Sequence, residues 1–495
     1  MMFNIETLAG VVGIILAGAI GYHVLLSAPV NGPPLVKGYF PFLGVGLTFA
    51  FDTEKYLERC RRKFGTIFDL YLGGQNLIIL SDPIAGIQSL FKTRAVSLIG
   101  FVIYIDKTVF AYSDAIANVD YLEGVAKTFV NRLTNTERLQ QINNWTTNVF
   151  RDLTGQRSEY WNFKDQEINL FDFTRWTLYI STMEGLFGPE FPAKETFDSY
   201  MNFEDNIFKF IRKYPPFMNW KGYTGRKRYL NAISDFFMDQ KKVANSSMFV
   251  QAMYEYFVEH GFKAREDFGG YFFSITVAAE SNALPGAFWL LAHVVADTKL
   301  KAKVEEILIK HYDPETQFYD LHAIVAEPLI HSCFSECLRL YANALSGRLV
   351  QKDITLSVVQ KPSESPHNVI VREGSQLLVF QNMIHWDEEV FPYPRTFIAE
   401  RFLEENKEVL IKHTDKTDNW KSFYPWGGGG HTCPGRHLAR YEAVLLLSIL
   451  GQYDIVAVDE SVPQPSVGVR YSSGVCKPET PYRVKMSRRD KCLGS

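Results

Sequence analysis

The chain has 495 residues, of which 46% are hydrophobic and 14% aromatic, so it has enough apolar side chains for a large core and is not a disordered protein. The formal net charge of −3 gives no reason to expect a nucleic-acid partner. The six cysteines contain no CxxC pair, which indicates neither a zinc site nor a disulfide framework and favours a reducing compartment.

The N-terminal stretch Leu8–Leu26 is apolar apart from Tyr22 and His23 and is about long enough to cross a bilayer core. It lacks the basic region and the clean cleavage site of a signal peptide, so we predict an uncleaved anchor over residues 1–28, with a cleaved signal as the alternative. Basic residues follow the anchor, which places the bulk of the chain in the cytosol. We therefore expect a single-pass protein of the endoplasmic reticulum membrane.

Residues 29–48 are rich in proline and glycine, which predicts a stiff, extended hinge before a main domain over residues 49–495. Asp52 to Phe64 has the pattern of an amphipathic helix with a basic face. Ile67 to Leu80 alternates around two glycines, as in a strand–turn–strand, and Asp82-Pro83 precedes a further helix.

The region from 110 to 260 is mostly helical by periodicity. Within it, Phe210 to Tyr229 mixes aromatic residues with lysines and arginines, a combination that suits a membrane interface. An ordinary loop between two helices at Pro215-Pro216 fits the same residues. The sequence leaves both interpretations open.

Phe268 to Val295 is apolar all round, which predicts a buried central helix, but Glu280, Ser281, Asn282 and Pro285 interrupt it. Polar residues in such a helix need partners or a chemical task. A helix that begins at Pro328 and a set of strands from Leu349 to Phe380 follow. The chain therefore predicts one large, mainly α-helical domain with small β-sheets.

The stretch from Trp426 to Gly435 reads Trp-Gly-Gly-Gly-Gly-His-Thr-Cys-Pro-Gly and leads directly into a helical pattern. The glycines let the backbone pass close to a flat, bulky group. Cys433 lies at the helix N-terminus, where N–H groups and the helix dipole favour a thiolate, the form that an axial iron ligand takes. A flexible glycine loop before a buried core cysteine is the alternative.

Two further motifs precede this loop: Glu336-Cys337-Leu338-Arg339, and the segment from Pro394 to Phe402 that contains Arg401. With the cysteine loop they form an ordered set, and on that set the chain resembles a cytochrome P-450, a haem-thiolate enzyme. The resemblance covers nearly the whole chain. It implies the fold of that family and a haem b cofactor whose iron is held by Cys433.

The resemblance also implies roles for other residues. Glu336, Arg339 and Arg401 would form a buried charge triad below the haem, and His431 and Arg348 would bind its propionates. Trp426, Gly427 and Gly435 would shape the cofactor loop. Electrons would come from NADPH through NADPH–cytochrome P-450 reductase, which would dock on a basic surface formed by Lys421, Arg436 and Arg440. Solvated surface is the alternative reading of those three cations.

The central helix departs from the family pattern, because Ser281 stands where an acid is usual and Asn282 where a threonine is usual. Together with the proline pattern near residue 33, this resembles the subgroup of the sterol 7α- and 12α-hydroxylases and prostacyclin synthase. An asparagine amide has no acidic proton near neutral pH, but it can orient a water or bind a substrate oxygen. Glu280 would supply protons if it faced the pocket, and Ser281 or ordered water would relay them otherwise.

Two activities therefore remain open. The first is a monooxygenase that hydroxylates a bulky lipophilic molecule, such as a terpenoid or sterol, in specialised metabolism. The second is a redox-neutral isomerase that cleaves an O–O bond already present in its substrate and needs no reductase. A haem protein that only carries or senses a ligand is a third class, which the anchor and the apolar central helix disfavour.

Overall fold

The computed structural model describes residues 31–38, 44–51, 53–72, 75–82, 85–118, 122, 124–125, 127–128, 136–155, 158, 160, 166–359, 365–406, 411, 422–465 and 473–495. The predicted anchor at Leu8–Leu26 lies outside these residues. In the part of the chain that the structure describes, no helix combines the length and the apolar character needed to cross a bilayer.

Helices account for most of the regular structure, as the sequence predicts. In chain order they are α1 (Gly46–Phe51), α2 (Thr53–Phe64), α3 (Ala85–Lys92), α4 (Ile99–Phe110), α5 (Thr136–Thr154), α6 (Leu170–Phe187), α7 (Ala193–Glu204), α8 (Ile207–Ile211), α9 (Trp220–Met238), α10 (Gln240–Ala244), α11 (Met248–Glu259), α12 (Arg265–Ala296), α13 (Thr298–Lys310), α14 (Leu321–Ala326), α15 (Pro328–Tyr341), α16 (Asn382–His385), α17 (Arg436–Leu447) and α18 (Ile449–Gln452). Short 3-10 turns lie at Pro216–Met218, Glu404–Asn406 and Gly429–His431.

The strands are mostly short. They are β1 (Leu35–Val36), β2 (Ile67–Leu72), β3 (Gln75–Leu80), β4 (Val96–Ser97), β5 (Gln166–Asn169), β6 (Tyr312–Asp313), β7 (Phe318–Tyr319), β8 (Ala342–Val350), β9 (Ile354–Val358), β10 (His367–Val371), β11 (Gln376–Phe380), β12 (Tyr453–Ala457), β13 (Ser473–Val475) and β14 (Arg483–Arg488).

The largest sheet has the order β1-β2-β3-β11-β8-β13, with β4 paired to β8. β1 comes from the proline-rich stretch and pairs in parallel with β2, so this part of the predicted hinge belongs to the sheet. β2 and β3 form the predicted antiparallel pair, with Ile67 opposite Leu80. β13 pairs with β8 and thereby brings residues near the C-terminus beside the region that follows α15.

The long helix α12 runs through the main core, as its apolar sequence predicts. Its first turn is capped by Asp267, whose Oδ2 accepts the backbone N–H of Ala264 at 3.2 Å. From Ala287 to Ala292 every side chain is fully buried. Pro285 lies inside the helix. Because proline has no backbone N–H, it donates nothing to the carbonyl oxygen of Ser281 four residues earlier.

Candidate active site

The loop before α17 is closed by two backbone hydrogen bonds. The N–H of Gly427 donates to the carbonyl of Tyr424 at 3.0 Å, and the N–H of Cys433 donates to the carbonyl of Trp426 at 2.9 Å. Between them, residues Gly429–His431 form a single 3-10 turn. This folding places Cys433 two residues before Gly435, the N-cap of α17.

Phe91 of α3 explains why two of the loop positions are glycines. A Cβ built at Gly428 would lie 2.4 Å from the Phe91 ring, and one built at Gly429 would lie 2.4 Å from the Phe91 carbonyl oxygen. Gly429 also has φ +66°, a backbone conformation that favours glycine. The loop is thus held against α3 by contacts that any side chain would obstruct.

The sulfur of Cys433 is half-buried, whereas Cys60, Cys333, Cys337 and Cys476 are buried. Burial raises the pKa of the Cys433 thiol, and the backbone N–H groups of Gly435 and Arg436, which hydrogen-bond to the sulfur, oppose that rise together with the Arg436 charge. The sulfur therefore lies near a helix N-terminus with two donors aimed at it, and these donors partly offset the effect of burial on its pKa.

Glu336, Arg339 and Arg401 meet in a fully buried cluster. Arg339 donates to the Glu336 carboxylate at 2.7 and 2.9 Å, and Nε of Arg401 donates to the same carboxylate at 2.9 and 3.0 Å. All three side chains are 0% exposed. The three residues that the motifs predicted as a triad thus lie within hydrogen-bonding distance of one another.

The cluster joins α15 to the segment before the cysteine loop. The Arg339 guanidinium donates to the carbonyls of His385 and Pro394 at 2.7 and 2.6 Å, and Arg401 donates to the carbonyl of Pro392 at 2.7 Å. These bonds pair the guanidinium N–H groups that a single carboxylate cannot satisfy. A buried charge cluster requires such pairing. The cluster therefore fixes the backbone on which the loop rests.

Helix α16 links this cluster to the loop, and its residues are absent from the sequence-based prediction. Nε2 of Gln381 donates to the carbonyl of Tyr424 at 2.8 Å, and the N–H of Tyr424 donates to the ring of His385 at 3.4 Å. Arg339 holds the His385 carbonyl from the other side. Gln381 and His385 belong to no motif, and only their tertiary contacts identify them.

The remaining residues predicted for the cofactor surround the loop at different depths. Arg348 is buried in β8, donates to Ser346 Oγ at 3.1 Å and to the Gly347 carbonyl at 2.8 Å, and lies 6.0 Å from the Phe91 ring centre. His431 is half-buried in the 3-10 turn. The Trp426 ring lies 6.4 Å from Phe334, which in turn faces Gly286 of α12.

One face of α12 is accessible although the helix crosses the core. Ala278 and Asn282, one turn apart, are exposed, and Ile275 and Ala279 are half-buried. The neighbours Val277, Glu280 and Ala283 are buried. Since an exposed stripe on a core helix needs space beside it, open space adjoins this face. The stripe is mostly apolar, and Asn282 is its polar group.

Asn282 already has one partner on this face. Its Oδ1 accepts the backbone N–H of Val475 in β13 at 2.9 Å. The carbonyl end of the amide thus holds a strand, while the NH2 end retains its two donors. Ser281 lies at the edge of the stripe, and its hydroxyl is 3.5 Å from the Tyr200 hydroxyl.

Glu280 is expected to supply protons only if its side chain faces the pocket. The side chain does not face the accessible side of α12, so it cannot deliver protons to that face directly. It is 1% exposed and points to the opposite side of the helix, toward Tyr200 and the buried Glu442 of α17. Burial first, and then the charge of Glu442, raise the pKa of Glu280 well above its ordinary range. Consecutive helix positions differ by about 100°, which puts Glu280 behind Asn282.

The family of cytochromes P450 matches residues 33–486 of the chain. The chain belongs to the cytochrome P450 family. It is 25% identical to the 7-alpha-hydroxycholest-4-en-3-one 12-alpha-hydroxylase of Oryctolagus cuniculus, an alignment that covers 96% of this chain and 98% of the relative. It is 24% identical to the 24-hydroxycholesterol 7-alpha-hydroxylase of Homo sapiens, over 96% and 98% of the two chains.

A fungal relative is equally distant. The Cytochrome P450 monooxygenase poxD of Penicillium oxalicum is 25% identical over 91% of this chain and 96% of its own. These comparisons confirm the predicted family and the likeness to sterol 7α- and 12α-hydroxylases. This P450 is accordingly a haem-thiolate oxidoreductase of the monooxygenase type.

The arrangement of these residues in this P450 suits a bound haem. The half-buried Cys433 lies in a glycine loop, and Trp426 of that loop is near Phe334, which packs against Gly286 of α12. A bound metal ion deprotonates a coordinating thiol outright, which would overcome the effect of burial on the pKa of Cys433. The arginine and histidine beside the loop provide donors suited to carboxylates.

Proposed function

We propose that this P450 hydroxylates a bulky lipophilic molecule, of the sterol or terpenoid class, in a specialised biosynthetic pathway. The observation that carries the proposal is the accessible face of α12, where apolar Ala278 and Ile275 flank a single amide, Asn282. Such a face accepts a large apolar substrate and orients it through one polar contact. The sterol substrates named for the two mammalian relatives have this character.

Each residue of the site has a defined task in this proposal. Haem supplies the oxygen chemistry when it is bound. Cys433 would hold the iron, and Arg348 and His431 would bind the propionates. The NH2 group of Asn282 would donate to a substrate oxygen or to an ordered water, because its Oδ1 is held by Val475. Trp426, Gly427 and Gly435 would keep the sulfur in place and limit its access to water.

Spectral titration tests the substrate class. A panel of 7α-hydroxycholest-4-en-3-one, 24-hydroxycholesterol, terpenoids and fatty-acid hydroperoxides is added to the purified haem protein, and the Soret shift is recorded. Compounds that shift the band are incubated with NADPH and a P450 reductase, and products are identified by mass spectrometry. A product one oxygen atom heavier supports the proposal. Binding without NADPH-dependent oxidation of any panel member contradicts it.

Replacement of the cysteine tests the ligand. Cys433→Ala should abolish the long-wavelength Soret band of the reduced CO complex, which thiolate ligation produces, whereas Cys492→Ala should retain it. Cys492 is a suitable control because it is the other half-buried cysteine. An unchanged spectrum for Cys433→Ala would refute the assignment.

The redox-neutral isomerase is the second candidate, and Asn282 is the observation that permits it. Its amide carries no acidic proton, and its carbonyl end is already bonded to Val475. An enzyme that rearranges an endoperoxide or hydroperoxide needs no proton relay at this position. The hydroperoxide arm of the panel distinguishes the two, since an isomerase converts its substrate without NADPH or reductase.

We further propose that the protein lies on the endoplasmic reticulum membrane through its N-terminal anchor and through a second contact. The segment Ile211–Lys221, here called the aromatic–basic cap, exposes 81% of Phe217, 68% of Trp220 and 53% of Met218. Exposed lysines and an arginine flank these side chains. Aromatic side chains beside cations suit the headgroup region of a bilayer, which supports the membrane reading of this segment over an ordinary loop.

Electron delivery is proposed to use the surface beside the thiolate. Arg436 donates to the Cys433 carbonyl at 3.0 Å, and Arg440 lies 5.8 Å from the Trp426 ring centre. Both are only half-buried, so they combine contacts with the loop and access to a partner. An acidic reductase surface would find two cations there. Lys421, the third predicted cation, lies outside the described residues.

A further inference from the structure

A small cavity lies behind the accessible face of α12, between that helix and α6 and α7. Its volume is about 10 Å³, which is about the minimum needed to hold one water molecule. Its lining includes apolar side chains from three helices and six polar or charged residues, namely Arg175, Tyr200, Glu204, Glu280, Ser281 and Lys477. A cavity of this size with this many polar groups is suited to an ordered water.

Glu280 supplies the strongest reason to place a water there. The residue is 1% exposed, and its Oε1 has no hydrogen-bond partner among the described residues. A buried polar atom without a partner is costly in free energy, so such atoms are normally satisfied by protein or by ordered water. The cavity that Glu280 lines offers the space for that water.

Two neighbours would complete the coordination of the same water. The hydroxyls of Tyr200 and Ser281 are 3.5 Å apart, longer than the usual 2.5–3.0 Å or so for a direct bond between hydroxyls, which leaves both able to bond a third molecule. Pro285, also on the lining, withholds the N–H that would otherwise reach the Ser281 carbonyl. The cavity thus combines one unpartnered carboxyl oxygen with two hydroxyls.

An ion cluster connects the cavity to the protein surface. The ammonium of Lys477 is buried and forms a salt bridge with Glu204. It forms a second salt bridge with Asp205 at 2.9 Å. Arg175 bonds Asp205 at 3.1 Å, and the Asp205 side chain is 40% exposed. A continuous set of ionisable groups therefore runs from solvent at Asp205, through Lys477 and Glu204, to the cavity and Ser281.

The Ser281 hydroxyl connects the cavity with the accessible face of α12. Ser281 follows Glu280 and precedes Asn282, and at about 100° per residue its hydroxyl lies at the edge between the buried and accessible faces. Its half-buried side chain agrees with that position. A proton held in the cavity thus has a hydroxyl beside it that also borders the accessible stripe.

We propose that this cavity holds an ordered water bound by Glu280, Tyr200 and Ser281, and that protons for the reaction enter through it from the Asp205–Lys477–Glu204 cluster. The proposal rests on the monooxygenase function proposed above. That reaction takes two electrons from NADPH and two protons, places one atom of O2 in a C–H bond, and releases the other as water. The route through the cavity supplies those two protons, because the amide of Asn282 has no acidic proton to donate.

The water itself is tested by crystallography of the haem-loaded wild type at a resolution that shows ordered solvent. We expect density for a water within hydrogen-bonding distance of Glu280 Oε1 and of the Ser281 or Tyr200 hydroxyl. Infrared difference spectroscopy of wild type against Glu280→Gln should show the carbonyl band of a protonated acid at Glu280. An empty cavity would overturn the proposal whatever the enzyme's activity.

The proton route is tested by comparing two oxidants. The probe is 7α-hydroxycholest-4-en-3-one, or the panel compound that the wild type oxidises fastest. With NADPH and reductase, Glu280→Gln should be slowed at least about tenfold and should release more hydrogen peroxide per NADPH, since a lost proton donor typically costs about 10²–10⁴-fold. With added hydrogen peroxide, which brings its own protons, the same variant should remain within about twofold of the wild type.

Asp69→Asn is the matched control, because Asp69 is a buried acid in β2 that does not line the cavity. Its ratio of NADPH-driven to peroxide-driven rates should stay at the wild-type value. Tyr200→Phe, which keeps the ring, is a second test in case Glu280→Gln fails to fold. It should show part of the loss in the NADPH-driven rate that is expected for Glu280→Gln. Equal losses of rate with NADPH and with hydrogen peroxide would show that Glu280 has only a structural role.

A wild type that oxidises no compound with either oxidant would refute the proposed function. The crystallographic result would then decide whether the cavity holds a water.

Discussion

The side-chain oxygen of Asn282 accepts the backbone N–H of Val475 at 2.9 Å, across 193 positions of sequence. This bond ties the centre of α12 to strand β13 beside the accessible face. Gly474 makes it possible, because a Cβ there would lie 1.9 Å from Asn282 Oδ1. The residue that replaces the usual threonine therefore has a structural partner as well as two free donors.

Gly474→Ala should break this bond and weaken the binding of any compound that shifts the Soret band. The φ of Gly474 is +114°, so alanine adds backbone strain to the steric overlap, and together they should cost about 1–3 kcal/mol of unfolding free energy. Gly374→Ala is the control, since Gly374 has φ +81° but open space around it. Equal effects of the two substitutions on binding would show that the Asn282 contact contributes nothing.

Arg401→Ala should destabilise the fold strongly, because it leaves part of the charge of Glu336 uncompensated in a fully buried cluster. The expected loss is about 3–5 kcal/mol in unfolding free energy, with a lower haem content. The half-exposed pair Arg372–Asp353 provides the comparison, and Arg372→Ala should cost no more than about 1 kcal/mol. Urea unfolding of both variants measures the difference, which would vanish if the cluster were not structural.

Gly428→Ala should reduce haem incorporation, because the new methyl group would lie 2.4 Å from the Phe91 ring. Overpacking of this kind costs about 1–3 kcal/mol and would displace the loop that carries Cys433. Gly430→Ala should have little effect, since a Cβ at Gly430 meets no atom within 4 Å. Haem per protein, measured by absorbance after purification, tests the pair. Similar haem content in both variants would refute the role of Phe91.

Glu442→Gln should flatten the dependence of stability on pH. Burial raises the pKa of Glu442 from 4.5 to about 8, so the folded protein keeps a proton that the unfolded chain has released. The free energy of unfolding therefore falls as pH rises between those values, by roughly 1–2 kcal/mol per pH unit for each such proton. Denaturant unfolding at about pH 5 and pH 8 should show a smaller difference in this variant. Exposed Glu388, changed to Gln, should leave the difference unaltered.

Trp220 should report contact between the aromatic–basic cap and lipid. In liposomes that contain brominated lipids, the full-length protein should show tryptophan quenching that is lost in Trp220→Phe, because 68% of this side chain is exposed. Trp386→Phe should keep the quenching, since Trp386 is half-buried and its indole N–H donates to the Leu340 carbonyl. Identical quenching in Trp220→Phe and the wild type would place the cap away from the membrane.

Local sequence patterns determined a large part of the architecture. Pro328 marks the first residue of α15, and the alternation of Ile67 to Leu80 corresponds to the pair β2 and β3. These patterns are reliable because helix starts and paired strands depend on neighbouring residues. The ordered motifs around Glu336, Arg401 and Cys433 likewise indicated the family, since their residue types and order are specific.

The direction of each polar side chain on α12 was decided only by tertiary structure. Glu280, Ser281 and Asn282 are consecutive, yet they face a buried acid, a water-sized cavity and a strand near the C-terminus. Periodicity gives their relative angles, but the absolute orientation of the helix depends on what packs around it. Phe91, Gln381, His385 and Val475 act through contacts between distant segments, and such contacts arise from the packing of the whole chain rather than from any local pattern.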